Sequence, residues 1–322
     1  MPLVSVIVPN YNHERYLPLR LKSVFDQTFD DYEVILLDDC STDNSRAVME
    51  QHRQHSKVSK VIFNAVNSGS AFRQWQKGVE LARGEWIWIA ESDDFCTNDL
   101  LGALVRQASV HENVVLSYCQ SIEVNEEGEG HRDMRWFTDQ ASNEHWNSDY
   151  CNSGKSEIQN YLWQINSVPN ASAVLFKKAA YKNVNADFLS MKMCGDWLLW
   201  IEIAKQGNVA FCAQPHNFFR KHSATTRTLE TISKRRLLAE EEYWIAQVVQ
   251  VHLKPSQLQR LQMKTSRILR NYSSTFAVKE VTDYLLHPRR YNKPIPYLRF
   301  MTIFFAGSLY RSTKKFLSGF LL

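Results

Sequence analysis

Val4-Ser5-Val6-Ile7-Val8-Pro9-Asn10-Tyr11-Asn12 is a short β-branched run that stops at a proline and gives way to a polar cluster. The same sentence structure recurs. Glu33 to Leu37 is a second apolar run and ends in Asp38-Asp39. Val58 to Phe63 is followed by the polar stretch Asn64 to Gly69, and Trp86 to Ala90 by Glu91-Ser92-Asp93-Asp94. A fifth run spans Val114 to Tyr118. Between the runs lie segments of helical spacing. Leu17, Leu21, Val24 and Phe25 mark one from His13 to Gln27, and Ser41 and Thr42 are cap residues for another reaching Gln54. Two more cover Ala71 to Ala82 and Asn98 to Ala108. Strands that alternate with helices predict an α/β fold with a mostly parallel sheet flanked by helices on both faces. In such sheets ligands bind beyond the carboxyl ends of the strands, where the polar clusters fall.

The rest of the chain reads differently. Residues 123–154 are polar and predict a long surface segment with little regular structure. Lys155 to Gln164 reads as a helix, Ala173 to Phe176 as a strand and Asp196 to Gln206 as a helix. Beyond Thr228 the pattern is all-helical, with two segments, Glu230 to Leu253 and Pro255 to Leu286, meeting at Lys254-Pro255. The expected division is a catalytic domain over residues 1–228 and a helical region over 229–322. The chain has 322 residues, 44% hydrophobic and 22% charged, a normal globular balance. Its formal charge of +4 is too mild to argue for nucleic acid. The six cysteines show no CxxC and no zinc-finger spacing, which predicts reduced, cytosolic thiols. No signal peptide is evident and no run of 18 uncharged apolar residues occurs.

Paired carboxylates after a strand suit a hard divalent cation that also holds substrate phosphates. In Glu91-Ser92-Asp93-Asp94 one carboxylate can take the metal and another a sugar hydroxyl, although an Asx turn or a helix cap would need the same residues. A carboxylate in Asp38-Asp39 can accept the imide N–H of a uracil, and Tyr11 can stack on a base. Two motifs fail. Gly154-Lys155-Ser156 lacks the earlier glycine of a phosphate loop, that place being Asp149, and no Gly-x-Gly-x-x-Gly follows the first strand.

Taken together, residues 4–12, 34–43 (Val34-Ile35-Leu36-Leu37-Asp38-Asp39-Cys40-Ser41-Thr42-Asp43), Asn67-Ser68-Gly69, Ala82-Arg83-Gly84-Glu85-Trp86-Ile87 and Glu91 to Asp94 resemble, in order and spacing, the catalytic domain of glycosyltransferase family 2, of GT-A fold. The resemblance covers roughly the first 225 residues. It implies that Pro9, Tyr11 and Asp39 line a nucleoside pocket closed by Asn67, Ser68 and Arg73. It implies that Asp93 and Asp94 form the metal-binding acidic region, with Asp94 the stronger candidate for coordination. Gly195-Asp196-Trp197 resembles the second acidic motif, whose aspartate is the general base. Phe219-Arg220-Lys221-His222 resembles a loop that closes over the diphosphate, with His222 a metal or phosphate ligand and Arg220 and Lys221 offsetting charge. Asn170-Ala171-Ser172 would shape the acceptor pocket. The chain departs from the family in Glu91, where many members have Asp, and in Cys40, where Gly is common.

The implied activity is inverting transfer of a sugar from a nucleotide-sugar donor, UDP-linked by preference, to a hydroxyl of a glycan or lipid-linked acceptor. Mn²⁺ or Mg²⁺ is the implied cofactor. One base suffices when the metal neutralises the leaving diphosphate, and one base implies inversion. The competing readings are a sugar-1-phosphate nucleotidylyltransferase, which would want a glycine- and lysine-rich loop after the first strand, and a non-catalytic nucleotide-sugar-binding or membrane scaffold protein. From His287 to Leu322 seven basic residues and no acidic one interleave with aromatics, a local +7 against −3 for the remainder. That tail suits peripheral contact with an anionic membrane at the inner face of the cell. It equally suits a helix packed on the domain or a homodimer contact.

Overall fold

In the computed structural model, which describes residues 1–222 and 232–272, ten strands join one sheet. They are β1 (Val4–Asn10), β2 (Tyr32–Asp38), β3 (Val58–Phe63), β4 (Trp86–Ile89), β5 (Phe95–Cys96), β6 (Val114–Val124), β7 (Gly130–Asp133), β8 (Tyr150–Ser153), β9 (Val174–Lys177) and β10 (Asn208–Arg220). The helices are α1 (Leu17–Phe25), α2 (Ser45–Gln51), α3 (Ala71–Leu81), α4 (Leu100–Val110), α5 (Arg135–Thr138), α6 (Gly154–Glu157), α7 (Lys178–Lys182), α8 (Gly195–Ala204), α9 (Ile232–Val249) and α10 (Pro255–Tyr272). A π-helical turn, Ile158–Leu162, continues α6.

The main path of the sheet runs β3-β2-β1-β4-β9-β6-β10-β5, with β7 on β6 and β8 on β10. β1 to β4 are mutually parallel. β9 is antiparallel to both β4 and β6, and β10 is parallel to β6. β6 and β10 therefore point the same way as β1 to β4, and the carboxyl ends of six strands share one rim. β1 and β2 are buried along their whole length, as continuous apolar runs in a sheet covered on both faces must be. This is the GT-A type of mixed α/β sheet flanked by helices.

Two local expectations are corrected. Ser41 and Thr42 do not cap α2, which begins at Ser45 with Asp43 Oδ1 accepting the Ser45 N–H at 3.0 Å. Ser41 Oγ instead accepts from Asn10 Nδ2 and the Asn12 N–H, so the two polar clusters are tied together. The fifth strand runs on to Val124, because β10 pairs with it over nearly its full length. Its polar residues Gln120, Ser121 and Glu123 are buried. Asn217 Nδ2 donates to Ser121 Oγ, and Lys221 pairs with Glu123. Partners so distant in sequence leave no periodic signal at the strand itself.

The chain divides into two compact units, residues 1–191 with 195–225 and residues 192–194 with 226–322. In the second, α9 and α10 meet at the short turn around Lys254-Pro255. The basic aromatic tail and the helix expected to continue to Leu286 lie beyond residue 272, outside the described residues. No helix among the described residues is long and apolar enough to cross a membrane. None of the six cysteines is in a disulfide.

Candidate active site

The acidic turn follows β4, and each of its three carboxyl groups has a different environment. Glu91 Oε1 accepts the Trp75 indole N–H at 2.6 Å. Its backbone N–H donates to Ser172 Oγ and its carbonyl accepts from Arg20 Nε. Asp94 is 2% exposed. Its Oδ1 accepts the Arg220 N–H at 2.9 Å and its Oδ2 accepts from Asn170 Nδ2 at 3.2 Å. The fully buried Arg20 guanidinium lies 4.0 Å from it. Asp93 Oδ2 lies 3.1 Å from His222 Nε2.

A third residue joins that pair. His13, in the loop after β1, holds its Nδ1 at 2.8 Å from Ser92 Oγ. Ligand atoms of His13, Asp93 and His222 all fall within 4.8 Å of one another. Two imidazoles and one carboxylate at that spacing are a donor set suited to a divalent metal ion. The His13 and His222 rings meet edge to face, 5.5 Å between centroids. Beside them opens a cleft of about 570 Å³, lined also by Arg15, Tyr16, Asp43 and Glu126.

Electrostatics separates the three acids. Burial, helped by the Asp93 charge, pushes the Glu91 carboxyl up to about 8, so it is protonated at neutral pH. Burial and Asp93 likewise raise Asp94, with Arg20 pulling the other way. Burial also works against the Asp93 anion, yet the hydrogen bond from His222 above all holds it below the usual range. Burial lowers His13, which favours the neutral, ligating imidazole.

The residues expected to line a nucleoside pocket lie at the ends of β1 and β2 and in the segments that follow. Pro9 is buried in β1, opposite Leu37. Tyr11 projects from the strand end, 47% exposed. Asp39 Oδ1 accepts from Asn64 Nδ2, the Ser68 N–H and Gln74 Nε2, and its Oδ2 from Ser68 Oγ. Asp39 thus shapes the Asn67-Ser68-Gly69 loop, which turns at Gly69 with φ +66° while Asn67 Oδ1 accepts the Gly69 N–H. Arg73 is exposed in the first turn of α3. Cys40 occupies a left-handed position, φ +65°, which accounts for glycine being common there.

Asp196 begins α8 and is 6% exposed. Its Oδ1 accepts the Trp197 N–H at 2.8 Å and its Oδ2 accepts from Asn166 Nδ2 at 3.0 Å. Arg220 belongs to the interior, not to a loop over a diphosphate. It is 3% exposed at the end of β10, donating through Nε to the Asp93 carbonyl and through Nη1 to those of Asn125 and Glu126. Asn170 is likewise spent on Asp94 and on the Ser172 N–H. Sequence reading missed His13, Arg20, Gln74, Trp75 and Asn166. Of these, His13 adjoined the Asn10-Tyr11-Asn12 cluster and Gln74 adjoined Arg73, both already singled out.

The family model for glycosyl transferase family 2 matches residues 5–184, more than half of the chain. The glycosyltransferase GlyG of Streptococcus pneumoniae serotype 4 is 34% identical over 105 residues, 33% of this chain and 35% of its own. The poly(ribitol-phosphate) beta-N-acetylglucosaminyltransferase TarS of Staphylococcus aureus (strain Mu50) is 34% identical over 114 residues, 35% of this chain and 20% of its own. The chain spans two fifths or less of the length of the curated relatives it matches. The crystal structure of S. aureus TarS 1-349 in complex with UDP-GlcNAc has a TM-score of 0.60 at 17% identity, covering 86% of this chain and 77% of its own. The mannosyltransferase PcManGT from Pyrobaculum calidifontis, in complex with GDP-Man and Mn²⁺, has a TM-score of 0.53 at 14% identity, covering 96% and 88%. Those two structures show the fold, and the family match adds the class of chemistry: the chain is a member of glycosyl transferase family 2.

Proposed function

We propose that this glycosyltransferase moves a hexosyl or hexosaminyl unit from a nucleotide-sugar, UDP-linked by preference, to a hydroxyl of a glycan or lipid-linked acceptor, with inversion. The observation that carries the reading is the acidic turn. It sits at the carboxyl end of β4, on the rim where open α/β sheets bind ligands, with Asp93 bonded to His222, which lines the cleft. TarS bound to UDP-GlcNAc supports a UDP-sugar donor, and PcManGT bound to GDP-Man and Mn²⁺ supports a metal-assisted one.

Each part has a role. Pro9, Tyr11 and Asp39 take the nucleoside, with Asn67, Ser68 and Arg73 closing the other side. Asp93 and His222 are the first choice to hold Mn²⁺ or Mg²⁺, which when bound neutralises the leaving diphosphate. Asp94, bonded inward to Arg220 and Asn170, braces the turn and adds negative charge behind the site. Asp196 removes the proton of the acceptor hydroxyl as its oxygen attacks the anomeric carbon. Asn166 and the Trp197 N–H aim that carboxylate. A single base that acts directly on the acceptor hydroxyl gives inversion. Residues 1–228 serve as the catalytic domain and residues 229–322 as a helical region.

The test is a thermal-shift screen of UDP-, GDP-, dTDP- and CMP-sugars, each with Mn²⁺ and with EDTA. A ligand that binds the folded state raises Tm without the acceptor being known. Stabilisation by one nucleotide class, lost in EDTA and in Asp93→Ala, is the expected result. No stabilisation by any donor in either condition contradicts the reading.

A further inference from the structure

We infer that His13 is a third protein ligand, so that His13, Asp93 and His222 bind a divalent cation such as Mn²⁺, Co²⁺ or Zn²⁺ without any nucleotide present and select it over Mg²⁺. The inference deepens the donor-site reading above and rests on it for the position of the site.

Three features support it. The first is the donor set. Mg²⁺ prefers oxygen and usually binds through one or two carboxylates plus phosphates, keeping several waters. Here two of the three ligands are imidazole nitrogens. The neighbouring carboxylate that could have made an all-oxygen site is engaged elsewhere, since Asp94 accepts from Arg220 and Asn170 and is almost wholly buried. Imidazole suits the later divalent metals.

The second is orientation. A ligating histidine normally has its other ring nitrogen hydrogen-bonded, which fixes the ring and its tautomer. His13 Nδ1 is held by Ser92 Oγ, and Ser92 is 1% exposed within the acidic turn itself. The ring's second nitrogen, Nε2, is then the metal-facing atom. Such an arrangement has little use for a histidine that merely fills a loop.

The third is rigidity. His13 stands between two pinned residues. The Asn12 N–H donates to Ser41 Oγ, and Asn12 Oδ1 accepts the Thr42 N–H. The Glu14 N–H donates to Asp43 Oδ2 and Glu14 Oε2 accepts the Asn44 N–H. Asn12 is also at φ 56°, a turn conformation that asparagine tolerates well. A ligand set held this way needs no diphosphate to assemble it.

The experiment is a Co²⁺ titration of the full chain, freed of metal by chelation, followed by the visible d–d absorption and by calorimetry. It is run with and without UDP, and repeated with Mg²⁺ in large excess. One Co²⁺ per chain without UDP, not displaced by ~100-fold excess Mg²⁺, is expected. His13→Gln should weaken Co²⁺ by at least ~10-fold, and Ser92→Ala by ~10-fold or more, because even partners of ligands have effects of that size. Circular dichroism melts of each variant separate lost ligation from lost fold, and the Mg²⁺ competition on the unaltered chain needs no variant at all. Co²⁺ bound only with UDP, and equally well by His13→Gln, overturns the inference and leaves the donor site standing. No Co²⁺ under any condition, together with no donor in the thermal-shift screen, overturns both.

Discussion

Asp196→Asn separates catalysis from architecture more cleanly here than the substitution usually does. Two partners of the carboxylate are donors, the Trp197 N–H and Asn166 Nδ2. An amide would normally turn one donor against another, costing ~1–3 kcal/mol. Asn166 Oδ1, however, is buried with no partner among the described residues. Rotating the Asn166 amide by half a turn presents that oxygen to the new side-chain NH₂, while the remaining oxygen keeps the Trp197 N–H. The structural penalty should then stay below ~1 kcal/mol. With Asp196 as the proposed general base, the chemical penalty is ~10²–10⁴ in rate, or ~2.7–5.5 kcal/mol of transition-state stabilisation.

The assay pairs UDP release from the donor chosen by thermal shift with calorimetric donor affinity. A fall in kcat of that size, with donor Kd within ~3-fold and Tm nearly unchanged, is the expected outcome. Asp196→Ala is the comparison: it leaves both donors without this acceptor and should lower stability by ~1–3 kcal/mol as well. Turnover in Asp196→Asn within a few-fold of the unaltered chain would remove Asp196 from the base role. A loss of donor affinity matching the loss of rate would make it a binding residue.

Three further outcomes follow from particular contacts. Asp38 accepts from Asn10 Nδ2, the Ser41 N–H and Arg46 Nε, and those bonds hold its carboxyl below the ordinary range although burial works to raise it. Asp38→Asn should cost ~2–3 kcal/mol at pH 7, through the Ser41 and Asn10 contacts in particular. A depressed folded value means that the stabilisation is present above the unfolded pKa, near 3.8, and is lost as pH falls through the folded one, so thermal melts of the two proteins should converge below about pH 4. Cys40→Gly relieves a left-handed residue at φ +65° and should gain ~0.5–1 kcal/mol net of the extra freedom of the unfolded chain, read as a Tm rise of ~2 °C. A fall in Tm would mean that the Cys40 side chain holds the loop. Gly154→Ala would place a Cβ 1.8 Å from the Ala204 carbonyl oxygen, a backbone atom that cannot step aside. A loss of ~3 kcal/mol, or ~6–10 °C in Tm, is expected, and an unchanged melt would show that α6 can shift freely.

The sheet was legible because its strands announce themselves. β1, β2 and β4 are largely apolar runs buried along their whole length, and such a run has no other reading when helices separate it from the next. What the runs do not carry is the company they keep. β6 goes on to Val124 and β10 to Arg220 because each supplies polar partners to the other, and neither stretch is apolar enough to be seen alone. The family-like stretch Ala82-Arg83-Gly84 is explained in the same way. Gly84 packs so close to β1 that a Cβ would lie 2.6 Å from the Ser5 backbone nitrogen. The Arg83 N–H and guanidinium both bond Glu33. The motif is visible from sequence, but its reason is a contact with two other strands.

The acidic turn shows where sequence reading stops. Glu91, Asp93 and Asp94 are three carboxyl groups in four residues, and nothing local distinguishes them. Their environments are assigned by residues far along the chain: Trp75 and Arg20 for Glu91, His13 and His222 for Asp93, Asn170 and Arg220 for Asp94. Burial with a like charge alongside raises Glu91 and Asp94, whereas two imidazoles keep Asp93 ionised. Lengthening Asp to Glu at position 91 fits this division. The longer side chain reaches the Trp75 indole and, in its protonated form, adds no charge next to Asp93. An aspartate there would stop one methylene short of that indole. In the proposed metal site, replacement of Asp93 should cost more metal affinity than replacement of Asp94, because Asp93 Oδ2 faces His222 whereas both Asp94 oxygens are bonded inward to Arg220 and Asn170.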